Sequence, residues 1–175
     1  MPGSLGHLAR RFLDALTAPR LTNAETEMVE AWLGPALAEL FFSQPRSDQR
    51  HGYEAAETVM SGTVAGPDVV LAALLHDVGK RHARLGLIGR SITSLAMKLR
   101  LPLRGRMASY RDHGAIAADE LAEIGAPPLA VAFALHHHGE RPESIQPEVW
   151  EILQLADQPP KAVTLFTGRI TSKYT

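Results

Sequence analysis

The chain contains no cysteine in its 175 residues. Disulfides and thiolate ligands are therefore excluded, and any metal site must be built from histidine and carboxylate. The lack of cysteine suits a cytoplasmic protein, which is the location expected here. No apolar run approaches the roughly 18 residues of a membrane span, so no membrane partner is expected. Alternating β-branched runs, the signal of half-buried strands, do not occur either. What remains is helical periodicity broken by proline and glycine, and an all-α domain of seven to nine helices is predicted.

A second absence is local. Residues 80–111 hold nine of the chain's eighteen lysines and arginines and no aspartate or glutamate. The net charge of −1 hides this one-signed stretch. It reads either as a solvated basic loop or as a lid that faces phosphate. Direct DNA binding is not expected, because there is no second basic or aromatic strip.

The amphipathic segment Leu5–Leu16 predicts a first helix, within a basic N-terminal stretch read as part of the fold and not as a targeting signal. Thr22 and Glu25 have the capping-box spacing and predict a helix to about Leu33, where Gly34-Pro35 breaks or kinks it. Ser47 or Asp48 is expected to cap the next helix, which carries His51 and stops at Gly62. Pro67 opens a helix that holds Leu71, Leu74 and Leu75 and is expected to end at Gly79. A short helix is predicted over Ser91–Arg100, and a longer one over Ser109–Ile124 with Gly125 as its cap. Pro128 and Pro147 open two more, the second reaching Asp157 and stopping before Pro159-Pro160. The chain is read as a single domain, 1–175, with a core at about 46–161 and N-terminal helices in 1–45.

Eight histidines are present, and their placement is informative. His51, His76, His113 and one of His136, His137 and His138 each fall on a different predicted helix or helix end. Asp77 and Asp157 also lie at helix ends. A helical bundle can aim such residues at one interior spot, and imidazole with carboxylate suits iron, manganese, zinc and related ions. In "LAALLHDVGK" the leucines anchor the helix, while His76 and Asp77 at its end can both turn toward one cavity. His7 and His82 read as solvated.

In order, His51, the His76-Asp77 pair, His113, the triple histidine and Asp157 resemble the signature of the HD-domain superfamily of metal-dependent phosphohydrolases, in its two-metal subset. That resemblance implies an all-α helical bundle of the HD type. It implies one metal held by His51, His76, Asp77 and Asp157. It implies that Asp77 bridges to a second metal completed by His113 and by His136 or His137. Helical phase does not choose between those two, since Phe133 lies three residues before one and four before the other. His138 is the less favoured ligand, expected to be exposed or to touch substrate. The two ions would be iron, manganese or similar.

The expected activity is hydrolysis of a nucleotide or related phosphate ester through a metal-activated water, with Asp77 and Lys80 catalytic. Lys80 stands in the "HDxGK" form common in the family and is the first cation expected on a substrate phosphate. Arg104, Arg106 and Arg111 come next. The chain lacks the motifs of the cyclic-di-GMP phosphodiesterases and the guanosine-tetraphosphate hydrolases. It looks closest to small two-metal members, which include symmetrical dinucleoside tetraphosphate hydrolases. Two other readings stand beside this one: a mixed-valent di-iron oxygenase of the same superfamily, and a non-catalytic nucleotide-binding module. A homodimer is compatible with all three.

Overall fold

Thr22 and Glu25 begin the first described helix, α1 (Asn23–Phe42), with a complete capping box. Thr22 N–H donates to Glu25 Oε2 at 2.6 Å, and Glu25 N–H donates to Thr22 Oγ1 at 3.3 Å. The computed structural model describes residues 17–62, 64 and 66–158. The helix expected at Leu5–Leu16, His7 and the Pro159-Pro160 stop lie outside the described residues. Gly34 adopts φ 68°, ψ 173°, so α1 kinks there and resumes through Pro35 instead of ending. A glycine tolerates that positive φ without a Cβ clash.

Helix α2 (Arg46–Met60) follows Pro45, and no side chain caps it. The expectation that Ser47 or Asp48 caps this helix is corrected: both lie inside its first turn. Asp48 instead accepts two hydrogen bonds from Arg90, at 2.6 and 2.8 Å. Helix α3 (Pro67–Leu75) starts at its proline as expected but stops short of Gly79, with His76 at its C-cap. Gly79 belongs to a 3-10 helix over Val78–Ala83. Helix α4 (Leu87–Lys98) begins before Ser91, the start expected from sequence. The helix predicted over Ser109–Ile124 is two helices, α5 (Arg106–Arg111) and α6 (His113–Ile124), broken at Asp112. Gly125 closes α6 in the left-handed conformation, as expected. Helices α7 (Pro128–His136) and α8 (Pro147–Ala156) complete the described residues, among which there is no strand.

Helix α3 is the hub. Its residues Val69, Val70, Ala72, Ala73, Leu74 and Leu75 are all buried, and α1, α2, α7 and α8 pack around it. A helix apolar on every side can exist only inside such a ring. Leu74 and Leu75 meet Phe41, Val59, Phe133 and Leu153 in one continuous core. Removal of each such leucine from water contributes about 2 kcal/mol. Helix α6 packs on α7 and on the 3-10 helix, and α4 rests on α5. Arg50 ties α2 to the start of α1 through two bonds to Glu25, at 2.8 and 2.9 Å. That bond pattern sets the rotation of α2 one residue before His51.

Two glycines fix how closely the later elements approach. A Cβ on Gly79 would stand 2.1 Å from the carbonyl oxygen of His113 and 2.9 Å from the nitrogen of Ala117. A Cβ on Gly114 would stand 2.7 Å from the carbonyl oxygen of Ala134. These obstacles are backbone and cannot swing away. Gly79→Ala is therefore expected to destabilise the fold by at least about 2 kcal/mol, read as a lowered urea midpoint.

The Glu25 carboxylate is held down to about 2 by its hydrogen bonds from Arg50 and from the Thr22 backbone. Its folded-state pKa is depressed, so its contribution is complete above the ordinary carboxylate range near 4.5 and fades as pH falls toward 2. Urea titrations of wild type and Glu25→Gln are expected to differ by about 1 kcal/mol at pH 6 and to converge near pH 2.

Candidate metal centre

His76, His137 and Asp157 are the C-cap residues of α3, α7 and α8, and His113 opens α6 just beyond the end of α5. Helix C-termini leave carbonyls without helical partners. The ring Nδ1 of His76 donates to the carbonyl of Ala73 at 2.9 Å. His113 Nδ1 donates to Tyr110 at 2.7 Å, and His137 Nδ1 donates to Ala134 at 2.8 Å. A carbonyl can only accept, so each Nδ1 carries a hydrogen and each ring turns Nε2 inward, as a lone pair whenever the ring is neutral. The same three bonds close the helix ends and aim the rings.

The inward nitrogens converge with carboxylate oxygens in two groups. In the first, Asp157 Oδ1 lies 3.1 Å from His76 Nε2 and 3.3 Å from His51 Nε2. Asp77 Oδ2 lies 3.5 Å from His76 Nε2 and 3.9 Å from His51 Nε2. In the second, Asp77 Oδ1 lies 3.2 Å from His113 Nε2 and 3.5 Å from His137 Nε2. The two imidazole nitrogens are themselves 3.2 Å apart. His138 adds a further ring nitrogen, all ligand atoms of the group lying within 4.8 Å of one another. Asp77 thus gives one oxygen to each group.

These distances suit a shared cation. Ligand atoms about 2.1 Å from one ion stand roughly 3.0 Å apart at a right angle and 3.4 Å apart at the tetrahedral angle. The chemistry of the donors points the same way. Asp77 Oδ1 is buried and has no hydrogen-bond partner, an arrangement expensive in the absence of positive charge. Each group can hold a metal ion.

The electrostatics agree. Burial disfavours the charged form of His76, yet Asp77 and Asp157 outweigh it and push its pKa up to about 10. Burial would raise Asp77, but Lys80 and His76 hold its carboxyl well below the usual range. Asp157 is lowered likewise, its hydrogen bonds to His51 and His76 overcoming burial. His137 is pushed down by its burial, against the pull of Asp77. His138, although its surface is open to solvent on one side, is lowered to about 3 by desolvation against the site and by its cationic neighbours. Both shifts favour neutral rings able to ligate. A negative field therefore centres on the two carboxylates. The negative ends of the α3, α7 and α8 dipoles add to it.

The structure brings together His51, His76, Asp77, Asp157, His113 and His137, and it separates His136 from them. Successive helical residues point about 100° apart, so His136, the last residue of α7, is turned away from the side on which the His137 C-cap enters the site. His138 is exposed and also stands in the second group, its ring 3.9 Å from that of His137. Lys80 is buried and ion-paired with Asp77. Arg104 and Arg106 are exposed and make no ion pair among the described residues, and Arg111 is spent on Asp112 at 2.7 Å. None of these three arginines joins either group. His82 is exposed and pairs with Glu120 at 2.6 Å.

The sequence reading missed Arg90. Its guanidinium lies over the Tyr110 ring at 5.8 Å and grips Asp48, while Tyr110 in turn lies beside His113. The signal was available: any ion pair made by a cation in an acid-free stretch must be to an acid elsewhere in the chain.

No family model matches the chain, and no curated protein or solved structure matches it significantly. The reading of the site rests on its geometry.

Elemental analysis of the purified protein distinguishes the histidines of the triple run. His137→Ala is expected to remove roughly half of the tightly bound metal, and His136→Ala to leave it unchanged.

Proposed function

We propose that this chain is a two-metal phosphohydrolase of the HD-domain type, acting on a nucleotide or a related phosphate ester. The observation that carries the reading is the Asp77 carboxylate, which faces His51 and His76 with one oxygen and His113 and His137 with the other. When bound, two divalent cations supply Lewis acidity, lowering the pKa of water and offsetting charge on a phosphoryl group.

The chain's own groups do the rest. His51, His76 and Asp157 hold one side of the centre, and His113, His137 and His138 the other. The Ala73, Tyr110 and Ala134 carbonyls keep the rings in the ligating tautomer. Lys80 supplies a positive charge beside Asp77, where a non-reacting phosphoryl oxygen would need one. Arg90 and Asp48 brace Tyr110 at the edge of the second group. The motivation for an anionic substrate is the place of Lys80, a buried cation beside the carboxylate that the two groups share.

The test is a panel of nucleotides and other phosphoesters incubated with protein loaded with manganese or iron. Wild type is expected to release phosphate or a nucleoside phosphate. Lys80→Ala is expected to lower kcat by roughly 100-fold with bound metal retained. Fully loaded protein that hydrolyses no member of the panel would sink the proposal. Oxygen uptake by the iron form in place of hydrolysis would favour a di-iron oxygenase.

A further inference from the structure

Helix α4 carries a feature that the metal centre does not use. Ile88, Ile92, Leu95 and Leu99 recur at intervals of three and four residues and form one stripe at helical spacing. They are 68%, 55%, 39% and 60% exposed, and Leu101 just beyond is 53% exposed. A flank of the same helix, at Thr93 and Ala96, is buried in the protein. Four bulky aliphatic side chains in a row on the outside of a small domain require a reason.

The charge around the stripe says what could cover it. Arg84, Arg100, Arg104 and Arg106 are exposed near the two ends of α4, and none makes an ion pair among the described residues. The other arginines of this stretch behave differently: Arg81 turns to Glu120 and Arg90 to Asp48. No acidic residue occurs anywhere in 80–111. We infer that α4 and the turn after it dock on an anionic membrane surface, the aliphatic stripe entering the headgroup boundary and the arginines meeting lipid phosphates.

Other occupants fit less well. Residues 1–16 carry Arg10 and Arg11 against one acid, Asp14, and residues 159–175 carry Lys161, Arg169 and Lys173 with no acid, so neither complements the charge. A second copy meeting the same face across a two-fold axis would set arginine against arginine. Nucleic acid would leave the aliphatic stripe in water, and the one phenylalanine, tyrosine or tryptophan in 80–111, Tyr110, has its ring against Arg90 and His113. The absence of a spanning helix among the described residues bears only on crossing, and a surface helix does not cross. The inference rests on the outer face of α4 and not on the reading of the metal centre.

Flotation of the full chain with vesicles tests it, using phosphatidylcholine alone and an equal mixture of phosphatidylcholine and phosphatidylglycerol. Wild type is expected to float with the anionic vesicles at low salt, to stay behind with the neutral ones, and to release at high salt. Ile88→Glu/Ile92→Glu and, separately, Arg100→Glu/Arg104→Glu are expected to lower partitioning by roughly tenfold or more. Both pairs are exposed, so an unchanged melting temperature verifies that each variant is folded. Failure of wild type to float with anionic vesicles overturns the proposal, as does undiminished flotation of a folded variant. A wild-type dimer that Ile88→Glu/Ile92→Glu converts to monomer, without vesicle binding, assigns the face to a second copy and overturns it too.

Discussion

The arrangement turns on one buried carboxylate. Asp77 is surrounded by nitrogens that can present lone pairs, because His76, His113 and His137 have each given the Nδ1 hydrogen to a carbonyl. Lone pairs that converge at little more than 3 Å repel unless positive charge lies among them. Protons can meet part of that demand, and His76 with its raised pKa is where one would settle. Lys80 meets another part through its ion pair with Asp77. The unsatisfied Asp77 Oδ1 between His113 and His137 is the portion neither reaches. A divalent cation in each group would answer the deficit, and the helices supply the scaffold that holds the lone pairs in place.

The helix ends explain why a fold of ordinary helices can carry such a centre. A histidine in mid-helix has its neighbouring carbonyls already engaged. At a C-terminus those carbonyls are free to accept, and the imidazole that follows can cap them and aim its other nitrogen at the interior. His76, His137 and Asp157 all occupy C-cap positions, and three negative dipole ends gather where cations would sit. The apolar helix α3 then has a second purpose besides core formation. The burial of its C-terminal half, through Ala72, Ala73, Leu74 and Leu75, places His76 and Asp77 at a depth where water screens their charges poorly.

Much of this was legible in the sequence, and the illegible part has a common cause. Thr22 with Glu25, Pro67, Pro128, Pro147 and Gly125 act through their own backbone, so each marked its boundary. Histidines and aspartates spread over separate helix ends were also visible as a set. What local pattern could not give were the contacts between distant segments. The break at Asp112 makes His113 the first residue of its own helix, and only then can its ring bond back to Tyr110. Gly79 read as a helix stop, yet its role is to let the 3-10 helix lie against the backbone of α6. Asp48 read as a cap because nothing nearby revealed Arg90, 42 residues away. His136 and His137 stood level in the sequence, and only the bond to the Ala134 carbonyl separates them.

The acid-free stretch shows how one compositional bias can serve opposite faces. Its cations divide by direction. Lys80, Arg81 and Arg90 turn inward and are matched by Asp77, Glu120 and Asp48 from other parts of the chain. Those pairs are at least partly shielded from solvent, so they fix the stretch against the half of the fold that carries the histidine-carboxylate groups more firmly than exposed pairs would. Arg84, Arg100, Arg104 and Arg106 are exposed and make no ion pair among the described residues. An acidic residue placed within the stretch would compete for both sets, weakening the inward clamps and neutralising the outward surface. The absence of acid is therefore what lets a single thirty-two-residue segment hold its inner partners at a distance in sequence and still present an uncompensated positive face outside.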